Sequence, residues 1–219
     1  MDYQLHDLQI NNLHIYQSDQ FFKFGTDAVA LANFAKPKPK DIAVDIGTGS
    51  GVIPILLAGK FGTQHAYGIE IQKELCDMAN KSIEYNRLSD KISIINAPAQ
   101  DFQSIHQQDP QNYIKNGKIT LVTANPPYAK VGSGDPTRVD SIAMSRFEYS
   151  LSLQDTIQTA QTLLSTGGRF CMIHKISRMA EVITQCSNAK LEPKRLQLLG
   201  TKLFLVECKK DAAVGLLIN

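Results

Sequence analysis

A short apolar run, Ile42–Ile46, ends in Gly47-Thr48-Gly49-Ser50-Gly51 and opens straight into a helical pattern over Gly51–Lys60. Strand, glycine turn and helix in that order make a β–α unit. Its strand is apolar at nearly every position, so it belongs in a parallel sheet covered on both faces. The same alternation continues along the chain. Strands are predicted at Ala66–Ile71, Ile92–Asn96, Ile119–Ala124 and Arg169–His174. Helices are predicted at Lys73–Arg87, Leu153–Leu164 (ended by Gly167-Gly168) and Arg178–Asn188. Leu203–Cys208 and Ala213–Ile218 read as a terminal antiparallel hairpin. The sum is an α/β fold with a doubly wound, mostly parallel sheet.

Residues 1–40 are expected to form a hairpin and a helix packed on the core, with 41–219 as the main domain. Leu13–Tyr16 and Phe21–Phe24 are strand-like runs around Ser18-Asp19. Thr26 is placed to cap a helix that Pro37 and Pro39 stop. The polar stretch 103–118 reads as a surface insertion. Residues 129–141 read as a glycine-bearing loop at the strand ends, where such sheets bind ligands.

Composition removes several classes. Of 219 residues, 43% are hydrophobic and 20% charged, which is globular rather than disordered. No apolar run approaches the ~20 residues of a membrane span. The opening residues MDYQLHDLQ lack the basic and apolar regions of a secretory signal. Cys76, Cys171, Cys186 and Cys208 are scattered without a C-x-x-C pair, which argues against a zinc site or disulfide frame and fits a reducing cytoplasm. The net charge of +2 is split into −2 over residues 1–128 and +4 over 129–219, which leaves room for a polyanion on the second half.

Glycine spacing narrows the cofactor. A dinucleotide loop reads G-x-G-x-x-G, but here the glycines fall at 47, 49 and 51 and position 52 is Val. There is no Gly-Lys-Ser/Thr for a triphosphate. Asp45 suits an amino-bearing ligand better than a pyrophosphate. Glu70, ending the next strand, is placed to take both hydroxyls of a ribose. This pattern resembles the class I S-adenosylmethionine methyltransferases.

The sharpest signal is Asn125-Pro126-Pro127-Tyr128, at the carboxyl end of the fourth strand. An NH2 conjugated to an adenine ring or an amide carbonyl is a poor nucleophile, because its lone pair is delocalised. Two acceptors aimed at its hydrogens, the Asn125 side-chain oxygen and the Pro126 carbonyl, pull it toward tetrahedral geometry. The prolines hold those acceptors in place. Tyr128 offers a flat face to an extruded base or amide. The motif resembles the signature of N-methyltransferases that act on planar amino groups.

Over residues 9–218 the chain resembles the bacterial tRNA1(Val) adenine-N6 methyltransferases. The resemblance rests on Phe22-Lys23-Phe24-Gly25-Thr26-Asp27-Ala28, Arg146-Phe147-Glu148, Leu153-Gln154-Asp155, Gly168-Arg169-Phe170, Ile173-His174-Lys175, Arg178 and Leu191–Leu196. It implies a seven-stranded Rossmann-like methyltransferase sheet and S-adenosylmethionine as cofactor. It implies methylation of an adenine N6 in tRNA beside the anticodon, by a cytoplasmic monomer or weak dimer that needs neither metal nor membrane. Implied cofactor contacts are Phe24, Gly25, Thr26, Asp45, Gly47, Thr48, Gly49, Glu70, Ile71, Ala97, Pro98 and Asn125. Implied catalytic residues are Asn125, Pro126, Pro127 and Tyr128. Arg146, Lys175, Arg178, Lys194 and Arg195 are the candidate phosphate contacts. The chain departs from the family after the third strand, where Asn96–Gln100 offers no acid before Asp101, and at Phe147, where a His is usual.

A protein-glutamine N5-methyltransferase would use the same Asn-Pro-Pro-Tyr, but usually with a helical domain ahead of it. DNA adenine methylation needs a recognition module for which there is no length.

Overall fold

The computed structural model of the chain describes residues 3–21, 23–126, 128 and 151–218. The central sheet is built from β3 (Ile42–Ile46), β4 (His65–Glu70), β5 (Ile92–Asn96), β6 (Ile119–Ala124), β7 (Leu164–Lys175), β8 (Leu191–Leu199), β9 (Leu203–Lys210) and a two-residue edge strand, β10 (Leu217–Ile218). Their order is β10-β8-β9-β7-β6-β3-β4-β5. The pairs β3/β4, β4/β5, β3/β6 and β6/β7 are parallel, whereas β9 runs antiparallel to both β7 and β8. The strand order reverses between β3 and β6, so their carboxyl ends flank the crevice in which such sheets bind ligands.

Burial explains the strand sequences. β3, Ile-Ala-Val-Asp-Ile, is buried at all five positions, because helices cover both faces. On one face Ala43, Leu121, Cys171 and Ile173 pack with α1 (Thr26–Ala35) and α2 (Val52–Gly59). On the other, Val44, Ile46, Val122, Phe170 and Met172 pack with α4 (Phe102–Gln107), α5 (Leu153–Leu163) and α6 (Met179–Asn188). α3 (Lys73–Tyr85) buries Leu75, Ala79 and Ile83 at the spacing expected of one helical face.

Four sequence expectations are corrected. The hairpin pairs β1 (Gln4–Asp7) with β2 (His14–Gln17), and residues 21, 23 and 24 lie outside strands. Gln9, Asn11 and Asn12 have positive φ and close its turn, a conformation that asparagine tolerates better than most residues. Thr26 lies inside α1, whose cap is Gly25. Gly167-Gly168 does not end a helix: β7 begins at Leu164, and residues 165–168 bulge between the pairs Ile119–Leu164 and Leu121–Arg169, with Gly167 at φ 77°. The terminal antiparallel hairpin is β8/β9, while β10 pairs parallel to β8. Pro193 and its charged neighbours disguise β8, and a register shift between Pro193 and Arg195 accommodates the proline.

Candidate active site

The carboxyl ends of β3, β4 and β6 bring the glycine loop, Glu70 and Asn125 together. Gly47, Gly49 and Gly51 all adopt positive φ (68°, 57° and 83°). A Cβ on Gly51 would stand 3.0 Å from the Ala79 methyl, so the third glycine lets the loop lie against α3. A Cβ on Gly49 would meet nothing within 4 Å, which leaves that side of the loop open for a ligand. Gly68 in β4 completes the arrangement: any side chain there would press on Thr48 at 2.7 Å. Sequence reasoning missed Gly68, whose only signal is a glycine inside a strand.

Glu70 is buried. Its Oε2 accepts the Gly49 N–H at 3.0 Å and its Oε1 the Gln72 N–H at 2.9 Å. Burial raises its pKa, and those backbone donors pull it partway back. Asp45 is also buried, with Thr123 Oγ1 donating to it at 2.6 Å. Desolvation pushes its pKa up to about 7, against the relief that Thr123 and nearby Thr48 provide. Thr48 Oγ1 itself makes no hydrogen bond of good geometry and is buried.

Ile71, 41% exposed, and the Ala97-Pro98 turn meet at the ends of β4 and β5. Ala97 N–H donates to the Glu70 carbonyl at 3.1 Å, and Asn96 Nδ2 donates to the carbonyls of Glu70 and Ile71 at 3.0 Å. Asp101, the first acid after β5, accepts from Ser104 N–H and Oγ at 3.1 and 2.6 Å to cap α4.

A second cluster sits over β6. Asp27, in the first turn of α1, faces the end of that strand. Its Oδ2 accepts from the Tyr128 hydroxyl at 2.8 Å and from Asn125 Nδ2 at 3.3 Å. The Tyr128 hydroxyl also lies 2.6 Å from Asn125 Oδ1. Burial, then the Asp27 charge, drives the tyrosine pKa far above its ordinary value, so the phenol stays protonated. The Tyr128 ring stands edge-on to His174 with centroids 5.6 Å apart. His174 is fully buried, and its Nδ1 accepts the Lys175 N–H at 2.9 Å, which leaves the proton on Nε2. Pro127 and Arg146 lie outside the described residues.

Residues 37–202 match a family described as Methyltransferase domain. The chain is 30% identical to the tRNA1(Val) (adenine(37)-N6)-methyltransferase of Porphyromonas gingivalis over 186 residues, covering 83% of this chain and 70% of that one. It is 27% identical to the Trichodesmium erythraeum enzyme of the same name over 196 residues, with 86% and 77% coverage. This chain belongs to the tRNA1(Val) (adenine(37)-N6)-methyltransferase family. The fold alone is shared with the tRNA m1G37 methyltransferase of M. jannaschii, which superposes with a TM-score of 0.67 at 15% identity, covering 96% of this chain and 57% of the other.

The family's cofactor is S-adenosylmethionine, and the residues present fit it. A buried carboxylate at Glu70 suits a ribose diol, and the open side of Gly49 leaves room beside it. Phe24, half-buried against the α1–α2 side of the core, and Gly25 lead the chain from the hairpin to Thr26 and Asp27.

For a family with an RNA substrate the basic residues divide. Lys175 is exposed at the end of β7. Arg195, by contrast, is turned inward: it donates to the Phe34 carbonyl at 2.5 Å, pairs with Glu207 at 3.0 Å and stacks on the Phe34 ring. These partners fix the carboxyl end of α1, and a phosphate would have to compete with them for the guanidinium. Arg178 pairs with Glu181 at 2.9 Å and is largely buried. Lys194 Nζ donates to the Ala213 carbonyl and, at 3.3 Å, to that of Gly215.

Proposed function

We propose that this chain transfers a methyl group from S-adenosylmethionine to the N6 amine of an adenine in tRNA, at the position for which its relatives are named. The observation that carries the reading is the placement of Asn125 and Tyr128 at the end of β6, beside the strand that leads into the glycine loop and two strands from the one that ends in Glu70. The cofactor supplies an electrophilic methyl on a sulfonium.

The rest is work for the chain's own side chains. Asn125 Oδ1 and the Pro126 carbonyl accept the two N–H groups of the target amine and hold its lone pair toward the methyl. Such acceptors act most strongly as the nitrogen becomes tetrahedral, so they favour the transition state over the bound substrate. The Tyr128 ring supports the extruded base. No strong base is required, because the attacking amine is neutral and the methylated nitrogen, strongly acidic once cationic, releases its extra proton to water. His174 cannot serve as one, since its remaining nitrogen already carries the proton. Lys175 is the exposed cation we assign to phosphate.

Among the described residues no helix is long and apolar enough to cross a membrane. The four free, buried cysteines support a reducing cytoplasm as the place of action. The test is methyl transfer from labelled cofactor to RNA and to protein, each from a strain lacking the enzyme. Label should enter RNA as N6-methyladenosine. Label found only in protein glutamine would overturn the proposal.

A further inference from the structure

One proton and two acceptors meet at the Tyr128 hydroxyl. A phenol can donate a single hydrogen bond at a time. Here Asp27 Oδ2 lies 2.8 Å away and Asn125 Oδ1 2.6 Å away. Asn125 Oδ1 is also the oxygen that must accept the target amine, so tyrosine and substrate compete for its two lone pairs.

Asp27 is built to resolve that competition. Its two oxygens have separate tasks. Oδ1 accepts the Ala28 N–H at 3.0 Å, in space left by the missing side chain of Gly25, where a Cβ would stand 2.7 Å from that oxygen. Oδ2 faces Tyr128 and Asn125 Nδ2. The bond from Asn125 Nδ2 fixes which way the amide is turned, with Oδ1 at the Tyr128 hydroxyl. The far end of α1 is anchored by two arginines, Arg169 to the Ala35 carbonyl at 2.6 Å and Arg195 to that of Phe34 at 2.5 Å. Arg169 is tied in turn to Asp41 at 2.8 Å, and both arginines to Glu207. The helix therefore presents Asp27 at a fixed place.

We propose that Asp27 is a positioning residue that draws the Tyr128 hydroxyl onto its own carboxylate and so keeps the Asn125 acceptor oxygen open for the target amine. This rests on the role given to Asn125 and Tyr128 above. Hydrogen bonds to an ionised acceptor are roughly twice as strong as those to a neutral one. When the amine arrives with its own N–H, the phenol, still protonated, donates its O–H to the carboxylate and leaves the amide oxygen to the amine. Without the carboxylate the phenol has only the amide oxygen, where it occupies one of the two lone pairs and weakens the acceptor offered to the amine.

The test is a four-member cycle of wild type, Asp27→Ala, Tyr128→Phe and the double variant. Single-turnover methyl transfer and cofactor affinity are measured separately for each. Asp27→Ala should slow transfer about tenfold or more, the scale of one charge-assisted bond, with cofactor affinity unchanged. In the Tyr128→Phe background, where no hydroxyl competes, the same loss of the carboxylate should cost less than about threefold. A role confined to holding α1 in place would cost the same in both backgrounds. That outcome would overturn the proposal, as would Asp27→Ala working at the wild-type rate. Asp27→Asn, which keeps the shape and loses the charge, replaces the alanine variant if that one does not fold. The acceptor is tRNA lacking the modification. Should wild type methylate only protein glutamine, the proposed function falls, and the same cycle run on that acceptor still decides the role of Asp27.

Discussion

Glu70 and Gly49 stand 21 residues apart in sequence and 3.0 Å apart in the fold, the carboxylate Oε2 accepting the glycine N–H. The acid therefore fixes the glycine loop, and we assign the remaining acceptor capacity of its oxygens to the ribose diol of the cofactor. Glu70→Ala should weaken binding of S-adenosylhomocysteine by about 1–3 kcal/mol, the cost of losing a charged hydrogen-bond partner. Titration calorimetry measures it. Unchanged affinity would remove Glu70 from the ribose contact.

We assign the buried Asp45 to the amino group of the cofactor, and on that assignment its titration makes binding depend on pH. Its folded pKa of about 7 lies well above the ~4 of a free carboxyl. At pH 6 it is mostly protonated, and above pH 7 it is charged and attracts the cationic amino acid end of the cofactor. Affinity should therefore rise between about pH 6 and 7.5, then level off or fall as the ligand's amine, with a pKa near 8, loses its proton. Calorimetry across that range should show the rise in wild type and a flat response in Asp45→Asn. An equally steep rise in the variant would assign the titration elsewhere.

His174 and Asp45 tie stability to pH in opposite directions. Burial, reinforced by the Arg178 charge, lowers the His174 pKa to about 4. The unfolded chain takes up that proton near pH 6.5, so the folded state is favoured fully above that value. The advantage, up to about 3 kcal/mol, is lost as pH falls toward 4. Asp45 behaves in reverse. Its contribution is complete below about pH 4 and is lost as pH rises through 7. Urea unfolding of His174→Gln should show a weaker loss of stability between pH 6.5 and 4.5 than wild type. An identical slope would mean that another group governs acid unfolding.

The parts of the fold legible in the sequence are those fixed by local pattern. The buried apolar runs of β3 and β6, the glycine turn between β3 and α2 and the amphipathic face of α3 all follow from short-range chemistry. What the sequence hid depends on distant partners. β8 reads as a charged, proline-broken stretch until Glu207 is seen to pair with Arg195 across the sheet. Asp27 lies in a run singled out by resemblance, yet its meeting with Asn125 and Tyr128, about 100 positions away, needs the whole β3–β6 layout. Local spacing likewise gave no sign that Asp101 is consumed in capping α4.

Of the basic residues, Lys175 and Arg195 should separate cleanly. Lys175→Ala should leave the melting temperature unchanged and flatten the salt dependence of tRNA binding by about one unit of charge. Arg195→Ala should leave the salt slope alone. It should cost about 2 kcal/mol or more of stability, because Glu207 and the Phe34 carbonyl lose their partner. The reverse pattern, read by thermal melting and binding at several salt concentrations, would place Arg195 at the RNA.

Asn125 is assigned to the target amine rather than to the fold or the cofactor. The most direct measurement compares wild type and Asn125→Ala on tRNA from a strain lacking the enzyme, with the methylated nucleoside identified by mass spectrometry and cofactor affinity measured on the same preparations. Wild type should give N6-methyladenosine, and turnover in the variant should fall about a hundredfold or more, the scale for losing one pre-organised transition-state partner, at nearly unchanged cofactor affinity. Near-normal turnover in Asn125→Ala, or a product other than N6-methyladenosine, would contradict the assignment.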